Sequence, residues 1–412
     1  ESRVRDVGYK LWQILSERLQ EDVNKSNFRA TIERLNIPIK SSHLSQVVGV
    51  GIHRHFNLCS EKSDKDKTTY HSVDKAGLGS YIDLALAPKL THFEGRSKEI
   101  EKISECILHK PTRLMAVLGL SGIGKTTLVR RFIDLNLDAW EGVIWKSLKF
   151  TKPLTALLND ILAIFSKENE IHLGFDEQIT KLSKFLSDHR CLIIFDDVQN
   201  LFIPGQLAGQ YKNEHTDYRI FFKMMAETSH QSCLILISQE KSQEMISLDA
   251  ELYPIQSLEI AGLDADGIEF LEYQGLPPQE NLLALSNLYH GHPLYLQYLS
   301  SLIKEVFSGR VDELMSDGSF IFTEEMKLLW DSLWNKLSNV EQAISLKMSQ
   351  QEEPFSRDEL RKSLSLSSIE IVNSLQSLRR RYLLIQLNAD EILFTLSPIF
   401  NEYIRFAKLS QN

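Results

Sequence analysis

The segment Gly119-Leu-Ser-Gly-Ile-Gly-Lys-Thr126 constrains the fold of this chain more than any other part of its sequence. It matches the pattern G-x-x-x-x-G-K-[S/T], follows the apolar run Leu114–Leu118 and opens a helical pattern at Thr126. The glycines permit backbone angles that let amide groups converge on an anion at the positive end of the helix. A strand, a glycine-rich loop and a helix in this order therefore predict a phosphate-binding loop (P-loop).

Each position of this loop has a predicted role in holding a nucleoside triphosphate. Lys125 would reach the β- and γ-phosphates as a point charge, and the Thr126 hydroxyl would hold Mg²⁺. Backbone N–H groups of the loop would contact the phosphate oxygens. We therefore predict that ATP or ADP binds, with Mg²⁺, to Gly119, Gly122, Ile123, Gly124, Lys125, Thr126 and Thr127.

An acid is also expected at the end of a buried strand, and Leu192-Ile-Ile-Phe-Asp-Asp197 supplies two. Asp196 is the predicted Mg²⁺ ligand beside Thr126, either directly or through water. Asp197 could orient the attacking water, although a loop carboxylate of this kind on its own is more often a helix cap. Together with Lys125, the two aspartates are the predicted catalytic residues.

The chain as a whole reads as a globular protein of several segments. Its 412 residues exceed what one compact core usually holds, and 43% hydrophobic with 25% charged residues is ordinary for a soluble protein. The four cysteines stand far apart, no apolar run reaches eighteen residues, and the net charge is −9. We therefore expect a protein of the reducing cytoplasm that neither spans a membrane nor coats nucleic acid non-specifically.

The hydrophobic pattern divides the chain and predicts its fold class. The predicted segments are a helical segment at 1–56, a linker at 57–89, a nucleotide-binding domain at 90–260, a helical lid domain at 261–325 and a winged-helix domain at 326–412. Four runs are apolar throughout, as strands buried on both faces are: Leu114–Leu118, Gly142–Trp145, Cys191–Phe195 and Cys233–Ile237. Their alternation with helical patterns predicts an α/β P-loop domain with a doubly wound parallel sheet. Helices followed by two short runs, Tyr382–Leu387 and Glu391–Thr395, are the sequence form of a winged helix.

Together these motifs resemble the NB-ARC branch of the STAND NTPases, regulatory relatives of AAA+ proteins, in a form found in cyanobacterial signalling proteins. The resemblance covers roughly residues 83–405. It implies that Arg96, in Phe93-Glu-Gly-Arg96, lies beside the nucleotide and that Pro293, in Gly291-His-Pro-Leu294, packs on the adenine. It further implies a slow ATPase that switches between ATP and ADP states and, when active, oligomerises or binds a protein partner.

Two positions depart from the family pattern. Where the family has an Arg that reads the γ-phosphate, this chain has Gln239, which offers hydrogen-bond donors but no charge. Where the family's winged helix sends a His to the β-phosphate, this chain has Ser397, a weaker ligand for phosphate. Gln239 predicts poorer discrimination between ATP and ADP, and the two positions together count against fast hydrolysis and a tightly locked ADP state. They leave open a scaffold that binds nucleotide without turnover.

Three further segments have less specific interpretations. Tyr9–Glu17 with Val23–Arg29 resembles the end of a helix-turn-helix module (vMAP-like) that precedes such NTPase domains in cyanobacterial proteins, with a helical protein-interaction domain as an equal alternative. If the resemblance holds, Glu1 begins inside the module. Arg379–Arg381 is interpreted as a solvated basic helix end, and the loop Pro204–Tyr218 as a mobile insertion.

The alternative function is a DNA-associated AAA+-like ATPase of the origin-recognition or transposition-regulator kind. It would share the P-loop, the helical lid and the winged helix, but would use the winged helix to bind DNA. Salt-dependent binding to duplex DNA that is lost on charge reversal of Arg379–Arg381 would favour it. DNA is not the favoured partner, because the winged helix of STAND proteins is usually an internal lever.

Turnover distinguishes an active ATPase from a nucleotide-binding scaffold. Lys125→Ala removes a charge aimed at the phosphates, so we expect steady-state phosphate release to fall roughly 10²-fold from the native rate. Equal phosphate release by the native protein and the variant would show that the P-loop performs no catalysis.

Overall fold

The computed structural model describes five stretches of the chain: 81–165, 173–246, 254–316, 320–388 and 392–409. All of them belong to one compact unit, Lys75–Asn412. The helical segment predicted at 1–56 lies outside the described residues, as does the predicted linker up to residue 80. No helix in the five stretches is both long enough and apolar enough to cross a bilayer.

Strands and helices alternate through the first part of the described chain. The strands are β1 (Tyr81–Asp83), β2 (Leu114–Leu118), β3 (Gly142–Ser147), β4 (Cys191–Asp196), β5 (Cys233–Ser238) and β6 (Ile255–Glu259). The helices are α1 (Ser97–Ser104), α2 (Lys125–Asn136), α3 (Leu154–Phe165), α4 (Phe175–Asp188) and α5 (Thr216–Glu227). The six strands form one parallel sheet in the order β1-β3-β4-β5-β2-β6. The predicted α/β P-loop NTPase fold is therefore confirmed for this part of the chain.

The central strands are apolar throughout because helices cover both faces of the sheet. Every residue of β2, β4 and β5 is buried. Alternate side chains enter different apolar clusters, Phe195 and Leu234 on one face and Trp145 and Ile235 on the other. Each such side chain stabilises the fold by roughly 1.5–3 kcal/mol relative to leaving it exposed. The core therefore holds the strand ends in fixed register.

The two edge strands differ from the sequence expectation. Residues 81–83 fall in the predicted linker, yet they form β1 and pair with β3. Three residues of mixed burial are too short to give a strand pattern. Strand β6 at the other edge mixes polar and apolar residues, and only Leu258 in it is buried. Half-exposed edge strands of this kind have no continuous apolar run to reveal them.

Beyond the main sheet the chain is helical, with a second, small sheet. The helices are α6 (Gly267–Tyr273), α7 (Leu282–Leu288), α8 (Pro293–Val306), α9 (Val311–Ser316), α10 (Glu324–Trp334), α11 (Asn339–Ser349), α12 (Arg357–Leu364), α13 (Ser368–Arg380) and α14 (Pro398–Ile404). Strands β7 (Phe355–Ser356), β8 (Leu384–Asn388) and β9 (Ile392–Leu396) are antiparallel in the order β7-β9-β8. One continuous apolar core joins both predicted segments, with Leu271 and Tyr289 from the first and Trp330 and Phe400 from the second. The domain boundary at 325/326 stays a prediction.

The loop Pro204–Tyr218 is held at several points, so the interpretation as a mobile insertion is wrong. The amide of Gly205 donates to the Lys336 carbonyl at 3.0 Å, and the amide of Ala208 donates to Ser377 Oγ at 2.6 Å. Its last residues belong to α5. The loop is polar because its partners are hydrogen-bonding groups that lie more than a hundred residues away in the sequence.

Hydrogen bonds of Tyr289 connect the helical segment to the chain that leads into α10. Its hydroxyl, on a fully buried ring, donates to the Ile321 carbonyl at 2.9 Å and accepts from the Ile321 amide at 3.0 Å. Tyr289→Phe leaves both backbone groups without this partner, so we expect the free energy of unfolding to fall by roughly 1–3 kcal/mol in urea denaturation. Tyr273→Phe, on a half-exposed ring, is the matched control. Equal losses in the two variants would contradict the expectation.

Candidate nucleotide-binding site

A cleft of about 500 Å³ lies where the carboxyl ends of the central strands meet the start of α8. Because the strands are parallel, the loops that follow β2, β4 and β5 converge at one edge of the sheet. The cleft is lined by residues from β5, from these loops, from the chain before α1 and from the helical segment: Thr91–Glu94, Arg96, Ser121–Thr127, Asp196–Asp197, Gln199, Ile237, Gln239, Leu263, Phe270, Tyr273–Gln274, Pro293–Leu294 and Gln297. Of the predicted site residues, Gly119 and Ser397 are not among them.

Lys125 is a buried cation at the first position of α2. Its Nζ donates to the carbonyls of Gly119 and Leu120, at 2.9 and 2.8 Å, and its side chain is 7% exposed. Burial lowers the pKa of Lys125 to about 8, and the nearby charges of Asp196 and Asp197 oppose that shift. A polyphosphate would stabilise the buried ammonium, so the residues present fit such a ligand.

The P-loop is packed on one side and open on the other. Gly122, at φ +78°, lies so close to α8 that a Cβ there would stand 2.5 Å from a methyl carbon of Leu294. Gly124, at φ +101°, directly precedes α2, and a Cβ there would meet nothing within 4 Å. Position 122 requires glycine, because any other residue would have a strained backbone at this φ and its Cβ would collide with Leu294. The loop therefore offers its open side to the cleft and its other side to the helical segment.

Asp196 ends β4 with its carboxylate beside the start of α2. Thr126 Oγ1 donates to Asp196 Oδ1 at 3.3 Å, and the amide of Asp197 donates to the same oxygen at 2.9 Å. Burial, followed by the negative charge of Asp197, raises the pKa of Asp196 to about 6. The hydroxyl of Thr126 and the carboxylate of Asp196 are thus adjacent oxygen ligands, the kind that Mg²⁺ prefers. The two predicted metal ligands are brought together as expected.

Asp197 is fixed by two side chains. Its backbone is left-handed, at φ 63°, and Gln199 Nε2 donates to its Oδ1 at 3.0 Å. Ser147 Oγ lies 3.5 Å from the other carboxylate oxygen. A carboxylate held at both oxygens points in a fixed direction, as a group that orients a water molecule must. Gln199 is a site residue that no sequence motif predicts, because one glutamine two positions after the aspartates matches no pattern.

The Gln199 amide also contacts Gln239, which directly follows β5. Its Oε1 accepts from the Gln239 amide at 3.2 Å, and Gln199 is 8% exposed. The Gln239 side chain turns towards the P-loop, with Nε2 3.5 Å from Ser121 Oγ. Gln239 therefore lies beside the P-loop without bringing a charge there.

Arg96 is hydrogen-bonded to the P-loop and to the helical segment. Its guanidinium is buried and donates to the Ile123 carbonyl at 3.0 Å and to the Gly262 carbonyl at 3.2 Å. Its own amide donates to Asp266 Oδ2 at 3.2 Å. Arg96 lines the cleft, and its hydrogen bonds join the P-loop to the helical segment. Its predicted position beside the nucleotide stays a prediction.

Aromatic and apolar groups also line the cleft. The rings of His92 and Tyr273 stack with their centroids 3.4 Å apart, and Phe93 and Phe270 lie on the same lining. Pro293, the first residue of α8, is also part of it. Flat rings and a proline suit the planar face of a purine base.

Ser397 lies away from this cleft. It directly precedes α14, and its amide donates to the Leu383 carbonyl at 2.9 Å. Within the described part of the chain, its hydroxyl has no hydrogen-bond partner. The arrangement gives no support to the predicted contact of Ser397 with phosphate, which stays a prediction.

Comparison with known families agrees with two of the stated resemblances. Residues 96–222 match the model of the NB-ARC domain, and residues 1–35 match that of the vWA-MoxR associated protein N-terminal HTH. The resemblance to NB-ARC proteins with a vMAP-like N-terminal module is therefore confirmed. The matched helix-turn-helix lies outside the described residues.

Several known proteins are similar to this chain. A WD repeat-containing protein of Nostoc sp. is 31% identical over 342 residues, which are 79% of this chain and 27% of that protein. The disease resistance protein RPS4B of Arabidopsis thaliana is 26% identical over 233 residues, 51% of this chain and 18% of that protein. The chain thus spans about a quarter or less of these relatives. A solved STAND protein with a tetratricopeptide repeat sensor from Pyrococcus horikoshii is 15% identical, with a TM-score of 0.38, over 81% of this chain and 44% of its own.

The raised pKa of Asp196 predicts a variant that is more stable without nucleotide. A folded-state pKa of about 6 against 3.8 means that stability falls as pH rises from about 4 to about 6. Asn keeps an oxygen for the Thr126 and Asp197 donors, so Asp196→Asn should raise the free energy of unfolding at pH 7.5 by roughly 1–3 kcal/mol, at about 1.4 kcal/mol per pKa unit. The same variant should lose the effect of Mg²⁺ on nucleotide affinity.

Urea denaturation of nucleotide-free protein at pH 7.5 and pH 5 measures this, with the exposed Asp188→Asn as control. The gain from Asp196→Asn should be smaller at pH 5. A loss of stability at pH 7.5 would show that burial of the ionised Asp196 carboxylate does not destabilise the folded protein.

Proposed function

We propose that this protein is a STAND-type molecular switch that binds ATP or ADP with Mg²⁺ in the cleft described above. The observation that carries the proposal is the buried Lys125 ammonium, which lies beside Thr126, Asp196 and Asp197 at the start of a helix. Buried cations are tolerated where an anion compensates them, and a nucleotide polyphosphate is the anion that a P-loop holds. The NB-ARC match over residues 96–222 supports the same function.

Each site residue then has a role in the switch. Lys125 and the loop amides bind the phosphates, Thr126 and Asp196 hold Mg²⁺, and Pro293 packs on the adenine. Asp197, fixed by Gln199, orients the attacking water. Hydrolysis is slow, because Gln239 supplies no positive charge to the charge that develops on the phosphates in the transition state.

The C-terminal part of the chain is proposed to report the nucleotide state. Helices α12 and α13 with the β8–β9 hairpin have the order of a winged helix, and they share a core with the helical lid. In the ADP state we propose that these segments stay closed on the nucleotide domain. ATP opens them, and the open form oligomerises through its nucleotide domains or binds a protein partner in a cytoplasmic signalling or defence response.

Bound nucleotide tests the switch directly. We expect the purified protein to release ADP or ATP on denaturation, and the melting temperature to rise by several degrees with added Mg²⁺-nucleotide. A ligand at a hundred times its Kd stabilises by about 2.7 kcal/mol. Lys125→Ala should lose this rise. An empty site and an unchanged melting temperature in the native protein would overturn the proposal.

The DNA-associated alternative needs a test that leaves the fold intact. Arg381 is 5% exposed, so its charge reversal would damage the structure, whereas Arg379 on the same helix end is exposed. Arg379→Glu is therefore the informative variant. Salt-dependent binding of the native protein to duplex DNA, weakened by Arg379→Glu, would replace the internal-lever reading with a DNA-binding one.

A further inference from the structure

The basic cluster at the end of α13 is divided between solvent and the interior. Arg379 is exposed and donates to Gln386 Oε1, whereas Arg381 is 5% exposed. The interpretation of a solvated basic helix end is therefore wrong for Arg381. Its guanidinium donates to the Gln206 carbonyl at 2.7 Å and lies 3.3 Å from Glu240 Oε2. Arg381 thus binds two groups of the nucleotide-binding segment.

Glu240, the acid that pairs with Arg381, directly follows Gln239. Glu240 is 7% exposed, and burial raises its pKa while Arg381 and then Lys336 oppose that shift. A second buried acid, Glu341 of α11, lies 3.5 Å from Arg381 Nε and accepts from Ser377 Oγ at 2.7 Å. Two acids and two bases therefore meet in the boundary between the nucleotide-binding and C-terminal segments.

Backbone hydrogen bonds cross the same boundary. The Lys241 amide donates to the Arg380 carbonyl at 3.0 Å, beside the Glu240–Arg381 ion pair. The amides of Gly205 and Ala208 donate to the C-terminal segment, as described above. These three amides are protected from solvent exchange only while the two segments stay in contact.

A continuous series of contacts leads from the phosphate end of the cleft to this boundary. Gln199 bonds the Asp197 carboxylate with its nitrogen and the Gln239 amide with its oxygen. Ser238 Oγ donates to the Glu240 carbonyl at 2.7 Å and accepts from the Glu240 amide at 3.3 Å. The turn Ser238–Glu240 is therefore tied tightly enough to move as one piece, and it carries the carboxylate that holds Arg381.

We propose that Gln199 is a positioning residue that couples Asp197 to the docking of Arg381 on Glu240. A displacement of Asp197 moves the Gln199 amide, because both of its polar ends are bonded. Gln199 then displaces the Gln239 amide and the turn that ends in Glu240. If Glu240 moves away from Arg381 while still buried, its charge is left without a partner, which is strongly destabilising. The ion pair is therefore expected to be either fully formed or fully separated. This proposal rests on the switch function proposed above and names the contact that the nucleotide state would control.

Hydrogen exchange of the full chain, saturated with Mg²⁺-ADP or with a non-hydrolysable Mg²⁺-ATP analogue, tests the coupling. We expect exchange at Gly205, Ala208 and Lys241 to be at least fivefold slower with ADP than with the analogue in the native protein. Gln199→Leu removes both hydrogen bonds at similar volume, and should make exchange at these amides equal in the two nucleotide states. A purely structural Gln199 would leave the difference between the states intact.

Arg381→Gln and Arg379→Gln form the matched pair of controls at the boundary. Arg381→Gln should give fast exchange at the three amides in both nucleotide states, while its melting temperature still responds to nucleotide. Arg379→Gln should behave as the native protein. If Arg381→Gln does not fold, Glu240→Gln, which removes the charge and keeps the shape, replaces it with the same expected result.

The outcomes separate this proposal from the proposed function. Native protein that binds nucleotide but shows no difference in exchange between the two states contradicts the coupling and leaves nucleotide binding standing. A difference that persists in Gln199→Leu removes Gln199 from the path. Native protein that binds no nucleotide contradicts both the switch and the coupling.

Discussion

The parallel register of β2, β4 and β5 is the constraint on which the rest of the structure depends. Because the three strands run the same way and are buried along their whole length, their carboxyl ends stop at one edge of the sheet. The polar groups that follow them must then share one small space. Lys125, Asp196 and Gln239 are far apart in the sequence and are brought into the same cleft by this register alone.

The sequence was sufficient for those parts of the molecule in which local pattern and structure coincide. The four continuous apolar runs became the four inner strands, and Thr126 and Asp196 meet as their motifs require. Edge strand β1 escaped notice because three half-buried residues carry no pattern. Gln199 matches no motif, and Arg381 was wrongly predicted to be solvated, for another reason: both residues pair with partners far along the chain, and a single glutamine or arginine carries no local signature of its partner.

The boundary between the nucleotide-binding and C-terminal segments contains a buried ion pair rather than an apolar contact alone. The stabilisation from an apolar contact falls gradually as the contact opens, in proportion to the area exposed. A buried ion pair is different, because in a half-open geometry each charge has lost its partner and is still shielded from water. The Arg381 contact therefore favours two distinct arrangements over a range of intermediate ones. By contrast, the helical and C-terminal segments share an apolar core, so those two segments are expected to move together.

The strand order also determines how long β2 must wait for a pairing strand while the chain is being synthesised. Strand β2, which leads into the P-loop, pairs with β5 and β6 in the main sheet and with no other strand that the structure describes. Strand β5 begins more than a hundred residues later. At typical translation rates the ribosome needs roughly 6–23 s to cover that distance. During that interval five consecutive apolar residues of β2 have no strand beside them. A nascent chain with this strand order is therefore exposed to aggregation or chaperone capture at β2 before the sheet around its P-loop is complete.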